Sequence, residues 1–219
     1  MRMASLSSVA AVAALLVCCS FAGATMVQTQ VLGTGDPNNE DLAFTAANNT
    51  QVDAMTNGYT ETINGVVFGA SSPNIAVATP GGGGTYGAAG ASDNYMNGLV
   101  DTGVYSLGDL VITVSNLTAG ASYQIDLLVA NNQSTDRSQM VAVNNEAPGT
   151  YLINAVGGVY DLTENAVADT NGQITITATN NQGEGAVFGA VAVTTATPEP
   201  ATMALLAIGG ISALIRRRK

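Results

Sequence analysis

Residues 110–130 read LVITVSNLTAGASYQIDLLVA. Leu110, Ile112 and Val114 alternate with Val111, Thr113 and Ser115, a period of two that lines one face of an extended strand. Asn116-Leu117-Thr118-Ala119-Gly120 then supplies turn chemistry, since Asn and Gly tolerate the left-handed backbone that a reversal needs. The alternation resumes with Tyr123, Ile125, Leu127 and Val129 on one face. Two half-buried strands about a short turn make this stretch β-structure, and the rest of the chain repeats the pattern. Residues 26–32, 65–68, 75–79, 139–143, 173–179 and 186–194 read as further strands. The second and third of these flank a turn at Ser71-Ser72-Pro73-Asn74. No stretch between residues 25 and 197 has a helical period with caps. Many short strands without intervening helices predict an all-β sandwich or barrel rather than a parallel α/β sheet.

The two ends have a different character. Arg2 is a one-charge leader, residues 4–21 are apolar, and Ala22-Gly23-Ala24 is a small-residue cleavage site, with Ala22 and Ala24 at its key positions. That is a secretory signal peptide over residues 1–24, with signal peptidase as the first processing partner. Cys18 and Cys19 are its only cysteines and leave with it, so the mature chain has no disulfide and no thiol chemistry. At the other end residues 201–215 are apolar. As a helix they span roughly 22 Å, short of a hydrocarbon core of about 30 Å. Pro198 and Pro200 set the start of that helix. Arg216, Arg217, Arg218 and Lys219 set its end and stay cytoplasmic by the positive-inside rule. The organisation is a signal peptide (1–24), one ectodomain (25–197) and a tail (198–219) with a transmembrane helix at 201–215 and a basic end at 216–219.

The tripartite tail resembles the PEP-CTERM sorting signal of Gram-negative bacteria. Pro198-Glu199-Pro200, the apolar helix and the arginines Arg216, Arg217 and Arg218 fill its three parts in order. Such a tail is sometimes called an ice-binding protein C-terminal domain, a name for the tail and not for an activity. The resemblance implies recognition by an exosortase-type membrane protease, transient anchoring in the inner membrane, and release or transfer to the cell surface or extracellular matrix. A second resemblance lies in residues 99–194. The strand–turn–strand at 116–131, Asp101-Thr102-Gly103-Val104-Tyr105 before it, and the late strands at 173–179 and 186–193 are similar to galactose-binding-like jelly-roll domains. This implies a single jelly-roll-like β-sandwich, and no particular ligand.

Charge narrows the function. The chain carries six Lys and Arg against sixteen Asp and Glu and no His, a net charge of −10. Arg137 is the only cation between Arg2 and Arg216. So negative a body argues against nucleic acid, whose affinity comes from neutralised phosphates. Without His or Cys in the mature chain the common nucleophile–base triads are absent, and the expectation is a non-enzymatic protein with no cofactor. A carboxylate-based glycoside hydrolase is the formal enzymatic alternative.

Three features offer binding chemistry. Asp36, Glu40 and Asp41 cluster oxygen ligands around Pro37-Asn38-Asn39, a loop that could take Ca²⁺; the plainer reading is an Asx-rich turn. Tyr86, Tyr95 and Tyr105 lie in or near loops, and Asn131, Asn132, Asp136 and Arg137 form a polar loop. Together Tyr95, Tyr105 and that loop could bracket an extracellular polysaccharide, the partner of a glycan-binding reading. Thr175, Thr177 and Thr179 form a row like part of an ice-binding array, but no repeat of it is evident along the chain. Pro80-Gly81-Gly82-Gly83-Gly84 lacks the Gly-Lys-Ser/Thr of a phosphate loop and reads as a flexible loop. The leading expectation is an exported surface or matrix protein with a structural or interaction role.

Overall fold

The computed structural model describes residues 26–31, 42, 50–56, 60–86, 103–130, 137–153, 159–181 and 185–195. The signal peptide and the sorting tail lie outside them. The described residues form fifteen strands and no helix. In order these are β1 Val27–Val31, β2 Gln51–Thr56, β3 Glu61–Ile63, β4 Val66–Phe68, β5 Ile75–Ala78, β6 Gly83–Tyr86, β7 Gly103–Ser106, β8 Leu110–Val114, β9 Ser122–Ala130, β10 Arg137–Val143, β11 Gly149–Ile153, β12 Val159–Val167, β13 Ile174–Asn180, β14 Ala186–Phe188 and β15 Ala190–Thr195. Among the described residues no helix is long and apolar enough to cross a membrane.

Two five-stranded sheets face each other. The first has the order β1-β12-β9-β15-β2 and the second β11-β10-β13-β8-β5. All their pairs are antiparallel. The alternation in residues 110–130 places one set of side chains between the sheets. Leu110, Ile112, Val114, Ile125, Leu127 and Val129 are each 0% exposed, together with Ile174, Ile176, Val191 and Val193. The expected turn joins them: Asn116 (φ 60°) and Gly120 (φ 75°) take the left-handed backbone, and the chain crosses from β8 in one sheet to β9 in the other. Tyr123 secures the crossing, its hydroxyl accepting from the Thr118 amide at 2.9 Å.

A second, smaller apolar core lies on the far side of the first sheet. Leu128, Ala130, Val159, Ala190 and Ala192 point outward from it, and Ile63, Val66 and Phe68 of the β3–β4 hairpin join them in one buried cluster. Gln51 clamps this hairpin to β2, donating to the Val67 carbonyl at 2.7 Å and accepting from the Val67 amide at 3.0 Å. The central strands are therefore apolar on both sides over part of their length. This is why β9 departs from simple alternation and buries six consecutive residues from Ile125 to Ala130.

Several expectations change in detail. The predicted strands at 65–68 and 75–79 exist as β4 and β5, but they belong to different sheets, so residues 71–74 are a crossover and not a hairpin turn. The loop 71–74 is fixed by Asp53, whose Oδ2 accepts from Ser72 Oγ at 2.5 Å and Asn74 Nδ2 at 3.0 Å. The predicted strand at 186–194 divides at Gly189 into β14 and β15, because β14 pairs with β7 in a separate three-stranded sheet, β14-β7-β6. The predicted flexible glycine loop is in part a strand: Gly83 and Gly84 begin β6 and pair with Ser106 and Tyr105. A Cβ on Gly83 would strike the Tyr105 carbonyl, so glycine is what lets these two backbones approach.

Candidate functional site

The outer face of the second sheet is built from residues that point away from the main core. Register places Ala76 opposite Thr113 and Thr113 opposite Thr175, and places Ala78 opposite Val111 and Val111 opposite Thr177. On the next strand Thr177 meets Ala142 and Thr179 meets Met140, and Thr150 of β11 lies opposite Met140. The threonines expected to face solvent at 175, 177 and 179 do so, each half-buried. Thr113 extends the 175 row onto a neighbouring strand, a contact invisible along the chain because 62 residues separate the two (175 minus 113). None of these outward residues is charged, in a chain of net charge −10. One carboxylate borders the face: Asp109 accepts from Thr179 Oγ1 at 2.8 Å.

Two groups of carboxylates belong to the first sheet. Glu164 of β12 follows Tyr160 and Leu162 on the core side of the strand and is 8% exposed. Burial pushes its pKa up to about 7, and the negative charge of Glu146 adds to the rise. Burial raises the Tyr151 phenol as well, with Glu164 a smaller contribution in the same direction. On the outer side of the sheet Asp126 and Asp161 are both fully buried. Asp126 Oδ1 accepts from Gln124 Nε2 at 3.1 Å and Thr163 Oγ1 at 3.0 Å, and its Oδ2 accepts from the same amide at 3.0 Å. Burial raises its pKa to about 6 in spite of these hydrogen bonds, which pull the other way. Thr194 projects from the same side, opposite Gln124 across the β15–β9 pair. It is fully buried, and its hydroxyl has no partner among the described residues.

The residues singled out from the sequence fare unevenly. Tyr105 is not in a loop but in β7, the middle strand of its sheet. It is half-buried, packs against the main core, and lays its ring over Gly84. Two ring carbons and the phenolic oxygen lie 3.0–3.3 Å from where a Cβ on Gly84 would be. That ring face is committed to packing, so Tyr105 does not offer both faces to a sugar. Tyr86 is the last residue of β6, opposite Gly103. Arg137 opens β10 opposite Ile153 and so belongs to a strand, not to the polar loop before it. Tyr95, Asn131, Asn132 and Asp136 lie outside the described residues, as do Asp36, Glu40 and Asp41 of the candidate calcium loop. So do Ala22 and Ala24, and Pro198, Glu199, Pro200, Arg216, Arg217 and Arg218 of the tail. Among the described residues no group of three or more His, Cys, Asp or Glu side chains converges as a metal cluster.

Asp126, Asp161, Glu164 and Thr194 were not singled out from the sequence. One signal pointed to Asp126: it follows Ile125 and precedes Leu128 and Ala130, apolar residues on its own side of the strand. An aspartate in such a run is buried on either face, and that is unusual for a carboxylate.

With this geometry in hand, the architecture is that of a jelly-roll-like β-sandwich. A calcium-binding mutant of β-glucuronidase 2 from Bacteroides uniformis is similar over 66% of this chain and 18% of that one, with a TM-score of 0.52 at 12% identity. A family 35 carbohydrate binding module from Clostridium thermocellum is matched over its whole length (100%) and 57% of this chain, with a TM-score of 0.39 at 13% identity. An exo-β-1,3-galactanase from Phanerochaete chrysosporium, crystallised with β-1,3-galactotriose, gives a TM-score of 0.38 at 21% identity over 59% of this chain and 31% of that one. The chain thus spans less than a third of the length of the glycosidases it is similar to, and at these identities the likeness concerns fold alone. No curated protein matches the sequence significantly. The tail is more specific: residues 196–219 match the PEP-CTERM protein-sorting motif. The protein carries an exosortase sorting signal behind a β-sandwich, and it is an exported protein processed at the membrane.

Proposed function

We propose that the protein is a non-enzymatic structural or interaction component of the cell surface or extracellular matrix, delivered there by its tail. The sorting motif at residues 196–219 carries this reading, since a chain that uses an export-and-release signal acts outside the cytoplasm. The uncharged outer face of the second sheet supports it. In so acidic a chain, that face is where a neutral partner meets the least electrostatic cost of desolvation. The tail decides the route. A permanent anchor needs apolar length and a positive end, whereas a sorting signal also needs Pro198-Glu199-Pro200. Replacing those three residues with Ala should trap uncleaved precursor in the inner membrane, and the wild type recovered outside should lack residues 201–219. Release of the triple variant at the wild-type rate would overturn the sorting reading.

A glycan-binding module is the second reading. The threonines at 113, 175, 177 and 179 favour it, because hydroxyls on one uncharged sheet face suit the hydroxyl-rich face of an extracellular polysaccharide. Thr177→Glu places a charge at the centre of that face. Under this reading retention on neutral polysaccharide columns should fall at unchanged thermal stability, and equal retention by both proteins would remove it.

A further inference from the structure

Thr194 lies near the end of β15, fully buried on the outer side of the first sheet, and its hydroxyl has no partner among the described residues. A buried hydroxyl left unpaired is destabilising, so a native sheet that keeps one has a use for its oxygen. Both cross-strand neighbours of Thr194 are glutamines: register sets Gln51 of β2 on one side and Gln124 of β9 on the other. Gln51 spends its amide on Val67, donating one hydrogen bond and accepting one. Gln124 is gripped from its nitrogen end, where Nε2 donates to Asp126 Oδ1 at 3.1 Å and to Oδ2 at 3.0 Å. The β15–β2 ladder shifts register between Val193 and Thr194, and irregularities of this kind re-aim side chains.

We propose that Thr194 and Gln124 join in an intramolecular ester that ties β15 to β9, a covalent cross-link made by the fold itself. Thr194 Oγ1 attacks Gln124 Cδ, the new C–O bond replaces the C–N bond, and the nitrogen departs as ammonia. The hydroxyl proton passes to the Asp126 carboxylate and from there to Nε2, so the step consumes no water, metal or oxidant. Directly opposite residues hold their Cβ atoms about 4.5–5.5 Å apart. Oγ1 is one bond beyond its Cβ and Cδ is two bonds beyond its own, which lets them close to the roughly 3–3.5 Å of an attack geometry. Asp126 pairs with Ala192 and is therefore diagonal to Thr194 on the same face, within side-chain reach. Burial raises its pKa to about 6, close to the neutral range in which one carboxyl can accept a proton and return it. The burial of Thr194 then keeps water from the ester. The bond enters the sheet just ahead of the sorting motif, which begins at residue 196, so a pull on the tail would meet a covalent tie at the end of the last strand.

A single tryptic cut tests this. Arg137 is the only trypsin site between Arg2 and Arg216, and it separates Gln124 from Thr194. Cys18 and Cys19 both precede it, so no disulfide can join the two halves. The purified full chain, folded, then denatured and cut briefly with trypsin, should remain one covalent species, lighter by one ammonia than its two halves together. Hydroxylamine, which cleaves esters, should release the halves. Thr194→Val and Gln124→Leu should each yield two separate halves, and Thr194→Ser, which keeps a hydroxyl, should yield one species. Asp126→Asn should slow its formation about a hundredfold or more, the range of general acid–base assistance. Two separate halves from the wild type would overturn the assignment, as would a single species that survives Thr194→Val, and unchanged formation in Asp126→Asn would overturn the role given to that carboxyl. The wild-type digest decides even where a variant fails to fold.

Discussion

Glu164 makes the stability of this protein depend on pH in a direction opposite to that of most acidic proteins. Its carboxyl is pushed from the ordinary 4.5 up to about 7, first by burial and then by Glu146. A carboxyl whose pKa is raised on folding holds its proton more tightly in the native state. Stability is then complete below pH 4.5, falls as pH rises between 4.5 and about 7, and levels off above. Unscreened, that rise would be worth about 3 kcal/mol. The group lies beside the exposed Glu146 turn and water screens part of the effect, so about 1–2 kcal/mol is the expected loss. The assay is urea unfolding in chelator from about pH 5 to about pH 8, comparing wild type with Glu164→Gln. Asp126 is raised to about 6 and contributes its own fall at lower pH, so the comparison is sharpest above about pH 6. Tyr151, also raised, titrates above this range. The wild type should lose stability toward pH 8 and the glutamine variant should lose about 1–2 kcal/mol less. Parallel curves for the two proteins would refute the reasoning and show that Glu164 is as well solvated folded as unfolded.

Three further outcomes follow from particular contacts. Gly172 holds φ at 69°, and a Cβ there would run into the Leu117 carbonyl, so Gly172→Ala should cost about 2 kcal/mol or more in chemical denaturation. Phe68 is fully buried in the second core. Phe68→Ala should cost about 3–5 kcal/mol, and native-state hydrogen exchange should show the β3–β4 hairpin released first. Tyr123→Phe removes the acceptor of the Thr118 amide and should cost about 1 kcal/mol in thermal melts, with the fold intact.

How much of this was legible beforehand depended on how many sides of a strand are buried. β8 and β13 were read nearly to their ends, because one face is buried and the other half-exposed over most of their length, and β9 was read from the apolar alternation of Tyr123, Ile125, Leu127 and Val129 although its second face is covered as well. β12 was missed. Its outward positions carry Asp161, Thr163 and Asn165, its core side carries Glu164, and so its pattern is polar on both sides. The sheet imposes the strand there by pairing nine residues of β12 with β9. The short strands β2, β3, β6, β7 and β11 were missed for a related reason. They owe their conformation to partners distant in sequence, as when Gly84 becomes a strand under Tyr105.

The same physics explains why buried polar residues escape a reading along the chain. From sequence alone, acidic residues draw notice when they cluster along the chain, as Asp36, Glu40 and Asp41 do, and aromatic residues when they sit among turn formers, as Tyr105 does. Pairing adds what neither signal carries. Tyr105 is drawn into the centre of a small sheet and spends a ring face on a glycine. Asp126 and Asp161 are 35 residues apart (161 minus 126), yet antiparallel register makes them diagonal neighbours on a buried face. The informative signal was one aspartate inside Ile-Asp-Leu-Leu-Val-Ala, where the residues two and four further on are apolar. That pattern says the second face of the strand is covered as well. A carboxylate kept under such cover must be protonated, hydrogen-bonded or bound to a cation. Asp126 meets that demand with hydrogen bonds from Gln124 and Thr163, and burial nevertheless raises its pKa to about 6.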